Sequence, residues 1–126
     1  MTSQSFKILF CETEKGASEK LKELLNGLRH DFEMSETEAE KIKRSISIFE
    51  PSVLLTDHCF WLRDDAIEII QALRITETLP IVVWAKKMNA KILSAIFNFS
   101  KIHFVKQSDN GALLSETLCR SSISSQ

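Results

Sequence analysis

Surplus charge is what this chain lacks most. Lysine and arginine number 16 and aspartate and glutamate 17, a formal net charge of −1 at pH 7 over 126 residues. That balance gives no electrostatic basis for direct binding to nucleic acid or to an anionic membrane surface. Long apolar runs are missing too: none approaches the roughly 18 residues that a membrane-spanning helix needs. Met1 to Ser5 lacks the basic-then-apolar layout of a secretory signal, so the expected compartment is the cytoplasm. Cysteine is sparse. Cys11, Cys59 and Cys119 are odd in number and irregular in spacing, which fits reduced thiols better than a disulfide framework. Cys11 and Cys59 with His58 do not have the spacing of a metal site either. With no linker and no long-period repeat, residues 1–120 are expected to form one domain and 121–126 a polar, frayed tail.

What is present is organised around Pro51-Ser52-Val53-Leu54-Leu55-Thr56-Asp57, an apolar run that stops on a carboxylate. It reads as a central parallel strand whose carboxyl end is open to solvent. Phe6 to Cys11 is a second such strand, ended by Glu12-Thr13-Glu14. From Ala17 the residues Leu21, Leu24, Leu25 and Leu28 continue a helical stripe that closes near Asn26-Gly27 or at His30. Phe32 to Ser35 alternates as a half-buried edge strand does, and Ala39, Ile42, Ile46 and Phe49 mark a helix over Glu38 to Phe49.

His58 to Arg63 reads as a loop, after which Asp64 and Asp65 supply negative charge at the start of a helix with Ala66, Ile67, Ile69, Ile70 and Leu73 inward. Pro80 introduces the strand Ile81 to Ala85. Asn89 can cap the next helix, in which Ile92, Ala95, Ile96 and Phe99 form the core stripe. Leu93 and Phe97 form a second apolar pair, open to core packing or to a dimer or output face. Ile102 to Val105 is a last strand ended by Lys106, and Ser108-Asp109 caps a helix with Leu113, Leu114 and Leu118.

Strand and helix thus alternate five times, which right-handed crossovers convert into a doubly wound α/β fold: a five-stranded parallel (βα)5 sheet of the flavodoxin-like type. With strand order 2-1-3-4-5 the crevice lies between the first and third strands, so Glu12, Thr13, Glu14 and Asp57 share it, with Trp84-Ala85 and Lys106 on its other side. Strand-end carboxylates that can hold a divalent cation, one carboxylate that can attack, and an ammonium group that can neutralise phosphoryl oxygens suit phosphoryl transfer.

On these residues the chain resembles the receiver domains of two-component response regulators, the family of the chemotaxis receiver, from about Phe6 to Arg120. Lys7 to Glu14 lies where that family has an apolar strand ending in an acidic pair. Pro51 to Asp57 looks like its phosphoacceptor strand, and Phe104-Val105-Lys106 like the strand carrying its lysine. The resemblance implies that Asp57 accepts phosphate from a histidine kinase or phosphotransfer protein. It also implies magnesium held by Asp57, Glu12, the backbone carbonyl of Cys59 and, if it turns inward, Glu14. Lys106 would bridge to the phosphoryl group, and the output would be altered partner binding or self-association, a homodimer included. Such a domain is a switch rather than a metabolic enzyme. No DNA-binding, kinase or cyclase segment follows the last helix, so the chain reads as a free-standing receiver or as a piece of a longer protein that supplies an output domain.

The chain departs from the family pattern at several positions. The second acidic position is Thr13, a neutral hydroxyl, which implies weakened magnesium binding. Two switch positions are altered: Trp84 stands where a small hydroxyl residue is expected, and His103 where an aromatic is. Gln107 replaces a proline, and His58 to Asp65 lacks the usual proline and glycine. These departures keep a second reading open, a phosphorylation-independent pseudo-receiver acting as a protein-interaction module. In that reading Trp84, Phe60 and Trp61 form a binding patch or a plug around the crevice, although aromatics more often pack together.

Overall fold

In a computed structural model, residues 6–11, 16–25, 29–35, 38–73, 78–107 and 111–124 are described. Five strands alternate with five helices: β1 (Phe6–Cys11), α1 (Ala17–Leu24), β2 (His30–Ser35), α2 (Ala39–Phe49), β3 (Val53–Asp57), α3 (Ala66–Leu73), β4 (Ile81–Ala85), α4 (Ala90–Asn98), β5 (Ile102–Lys106) and α5 (Gly111–Ser124). A 3-10 turn, Phe60–Leu62, interrupts the connection from β3 to α3. The strands are parallel in the order β2-β1-β3-β4-β5. This is the expected flavodoxin-like sheet.

Every residue of β3 and β4 is buried, as a central parallel strand covered on both faces requires. The pleat sends their side chains to two separate cores. Ile8, Phe10, Val53, Leu55, Val82, Trp84 and Val105 pack under α1 and α5, against Ala17, Leu21, Leu114 and Leu118. Leu9, Leu54, Ile81, Val83, Ala85 and Ile102 face α2, α3 and α4, against Ile42, Ile69, Ile70, Ile92 and Ala95. Among the described residues no helix is long and apolar enough to cross a membrane.

Several element boundaries differ from the sequence pattern. β2 starts at His30, two residues early. α1 ends at Leu24, although Leu25 is still buried, and Asn26 to Leu28 lie outside the described residues. So do Ser108 and Asp109, the expected cap of α5. Leu113 is half exposed, and the buried stripe of α5 runs through Leu114, Leu118 and Ser121. Ser121 carries that stripe past residue 120, and the helix continues to Ser124 where a frayed tail was expected.

Gly111 begins α5 against the end of α1. A Cβ there would lie 2.8 Å from the backbone oxygen of Leu24, closer than atoms pack. Gly111→Ala is therefore expected to push the two helices apart and cost about 1–3 kcal/mol, read as a lower midpoint in urea denaturation with an unchanged slope.

Candidate functional site

β3 delivers Asp57 to the carboxyl edge of the sheet, paired in register with Trp84 of β4. Alternation along β3 places its side chain on the face of Val53 and Leu55. It is fully buried. A buried carboxylate needs donors, and the backbone N–H of Phe60 donates to Asp57 Oδ1 at 2.9 Å. This side-chain acceptor three residues back closes the turn much as an Asx motif does. Within it, Trp61 N–H donates to the His58 carbonyl at 3.1 Å and Leu62 N–H to the Cys59 carbonyl at 3.2 Å.

Thr56 points to the opposite face. Its hydroxyl accepts from the Trp61 indole Nε1–H at 2.7 Å and donates to the Val82 carbonyl at 3.2 Å, so the one apolar side chain with a buried polar atom in this turn is satisfied. Phe60 and Trp61 are fully buried and meet edge to face, 5.4 Å between ring centres. The connection is also tied to the segment after β4. The Asn89 side-chain amide donates to the Trp61 carbonyl at 3.2 Å, and Lys86 N–H donates to His58 Nδ1 at 3.3 Å.

The expected trio of aromatics around the crevice is not what forms. Phe60 and Trp61 belong to the core under α2 to α4, whereas Trp84 is buried under α1 and α5 with its ring centre 6.4 Å from that of Phe10. The sheet separates them. Lys106 is exposed at the end of β5, in register with Ala85. Gln107 follows, its N–H on the Ala85 carbonyl at 2.7 Å and its side-chain amide on the Trp84 carbonyl at 3.0 Å, where a proline could not donate from its backbone. His103 is exposed and lines a cavity of about 490 Å³ with Ile96, Phe104 and Arg120. Leu93 and Phe97 stand clear of the core on α4, 46% and 80% exposed.

Glu12, Thr13 and Glu14 lie outside the described residues. Of the expected magnesium ligands that leaves Asp57, whose Oδ1 already accepts from Phe60, and the Cys59 carbonyl, already engaged by Leu62. Two oxygens fall short of the octahedral set magnesium demands, and no group of three His, Cys, Asp or Glu gathers among the described residues. The described donors do not by themselves make a magnesium site. Burial, reinforced by the charge of Asp57, pushes the Cys11 thiol from an ordinary 9.0 up to about 12, which makes it a poor nucleophile and metal ligand. Asp65 is held below the usual carboxylate range by its hydrogen bond from Arg63, at 2.9 Å, so the charge expected to serve the start of α3 also serves Arg63.

Sequence reasoning missed Thr56 and the second role of Asn89. A hydroxyl in the penultimate position of an otherwise apolar strand, followed at five residues by a tryptophan, was the available signal for the first.

No family model matches the chain, and a search of curated proteins finds no match. Solved structures do match. The signal receiver domain of a modulated diguanylate cyclase from Desulfovibrio desulfuricans is 17% identical with a TM-score of 0.76, the match covering 97% of each chain. The receiver domain of the Francisella response regulator 1452 is 13% identical, TM-score 0.72, over 96% of this chain and 99% of that one. A response regulator receiver protein from Pseudoalteromonas atlantica is 18% identical, TM-score 0.72, over 95% and 99%. Identities this low speak for a shared fold.

Thr56→Val should leave the buried Trp61 N–H without an acceptor and cost about 1–3 kcal/mol despite its similar size. Adding Trp61→Phe removes that donor, so in a urea-denaturation double-mutant cycle the pair should cost less than the sum of the single changes. Additive losses would mean that the hydrogen bond contributes nothing. With five parallel strands in the order 2-1-3-4-5 and Asp57 closing the third, the chain has the fold of the response regulator receiver domains.

Proposed function

We propose that this chain is a receiver domain of a phosphorelay response regulator, with Asp57 as its phosphoacceptor. The observation that carries the reading is the place of Asp57: the last residue of the central strand, at the carboxyl edge where ligands of open parallel sheets bind, in a fold shared with receiver domains over nearly the whole chain. In the reaction a carboxylate oxygen of Asp57 attacks phosphorus. The bond from phosphorus to the leaving group, an imidazole nitrogen of a histidine kinase or phosphotransfer protein, breaks with its electron pair, and the imidazole keeps its neutral form by taking up a proton. Lys106, at the end of β5, would meet the negative charge of the phosphoryl group. Magnesium, if held, would draw on Asp57, the Cys59 carbonyl, Glu12 and Glu14, weakly because Thr13 is neutral. The output is a change in partner binding or self-association, without nucleic acid or membrane as direct partner, in the cytoplasm, and the domain acts as a switch and not as a metabolic enzyme.

A second reading, the pseudo-receiver, is favoured by Trp84. Its indole is packed in the core beneath α1 and α5, so the residue offers no hydroxyl to follow a group added to Asp57. The connection after β3 is pinned on both sides in a single arrangement.

Incubation with acetyl phosphate and magnesium separates the two. A receiver gains the mass of one phosphoryl group by intact mass spectrometry, and Asp57→Asn does not. An unaltered mass at millimolar magnesium would leave the interaction module.

A further inference from the structure

We propose that Asp57 controls the start of α4 through the 3-10 turn, by a relay of hydrogen bonds that runs from Asp57 through Phe60 and Trp61 to Asn89. The inference rests on Asp57 being the regulated group and adds the route by which its state is read.

The relay begins at Asp57 Oδ1, which accepts from Phe60 N–H at 2.9 Å. Both residues are fully buried, so no water stands ready to replace either partner. Trp61 is the next residue and is held at three points: its N–H by the His58 carbonyl, its indole by Thr56, and its carbonyl by the Asn89 side-chain amide. Asn89 works at both ends. While its Nδ2 donates to Trp61, its Oδ1 accepts from Ile92 N–H at 2.8 Å and caps the first turn of α4. The orientation of the cap is thus fixed by the position of the Trp61 carbonyl. A residue that caps a helix gains from such a second anchor because its side chain is already ordered before the helix forms.

If another group takes Asp57 Oδ1, the Phe60 N–H is left buried without a partner, a state that native structures avoid. The turn must then shift, and the Trp61 carbonyl moves with it. Asn89 loses its anchor and α4 loses order in its first turn. The tie from Lys86 N–H to His58 joins the same two connections, so the segment Lys86–Met88 responds as well. From Phe60 onward the route runs on the α2 to α4 side of the sheet, and although Trp84 shares the face of Asp57, no bond of the relay involves it, so the position where a small hydroxyl was expected is bypassed. What the relay governs is the ordering of the helix that carries the exposed Leu93 and Phe97.

Native-state hydrogen exchange on the full chain, without phosphate, tests it. Asp57→Ala removes the acceptor and should speed exchange at the Ile92 and Leu93 amides about fivefold, the fold-change that a lost N-cap of typical strength gives. The amides of Leu114 and Leu118 in α5 should be unchanged. Asp57→Asn keeps an oxygen for Phe60 and should exchange as the wild type does. Asn89→Asp keeps the capping oxygen and loses the donor to Trp61, so in that background Asp57→Ala should add nothing at Ile92. Unchanged exchange at Ile92 in Asp57→Ala, or the same fivefold effect in the Asn89→Asp background, would overturn the relay. Should Asp57→Ala fail to fold, the comparison of Asn89→Asp with Asn89→Ala decides: both must loosen α4, and Phe60 must exchange faster in both. Phosphorylation of Asp57 without this coupling would sink the relay alone, and coupling without phosphorylation would sink the proposed acceptor role alone.

Discussion

A carboxylate without solvent exposure at the end of the central strand is the constraint from which the rest of this site follows. Left unpaired, such a group costs several kcal/mol. Here the polypeptide answers by folding back within three residues so that Phe60 N–H meets Asp57. That return drives Phe60 and Trp61 inward as a tight turn rather than leaving them on an open loop. Burying Trp61 in turn creates a need for an acceptor at its indole nitrogen, which Thr56 supplies from the same strand. One buried carboxyl group thereby links the turn, the hydroxyl beside it and the aromatic pair beneath α2 to α4.

The same logic reaches β4. Asn89 and the His58 pair fasten the connections after β3 and β4 to each other, so the two strand ends behave as one assembly. The fold is shared with receiver domains over nearly the whole chain, and its own contacts stand in the connection after β3, where the expected proline and glycine are absent, while Trp84 occupies the position where a small hydroxyl was expected. Trp84 fills core volume beside Phe10 instead. The coupling between the strand-end acid and the helices is carried by hydrogen bonds of the backbone and of two short polar side chains, Thr56 and Asn89.

Much of the sheet was legible because its strands are short apolar runs bounded by proline or charge, as in Pro51 to Asp57 and Pro80 to Ala85, and because five alternating units leave few topologies open. The facing of residues was less so. β4 is buried on both sides, so hydrophobicity carries no period to say that Trp84 and Ala85 leave it in opposite directions, and Trp84 was placed with Phe60 and Trp61 across a sheet that divides them. In α5 the adjacent Leu113 and Leu114 gave the pattern two phases, and the buried Ser121 that settles it is polar. Asn89 was readable as a cap because capping is local; its bond to Trp61 spans 28 residues and leaves no local mark.

The amide signal of Phe60 reports the first bond of this assembly directly. Titrating the chain with beryllofluoride and magnesium while following Phe60 and Ile92 by nitrogen–proton NMR tests the claim that Asp57 is both the reactive group and the clamp on the turn. A saturable shift of Phe60, accompanied by Ile92 and absent in Asp57→Asn, is the predicted result. A Phe60 signal that stays in place in the wild-type chain would contradict it.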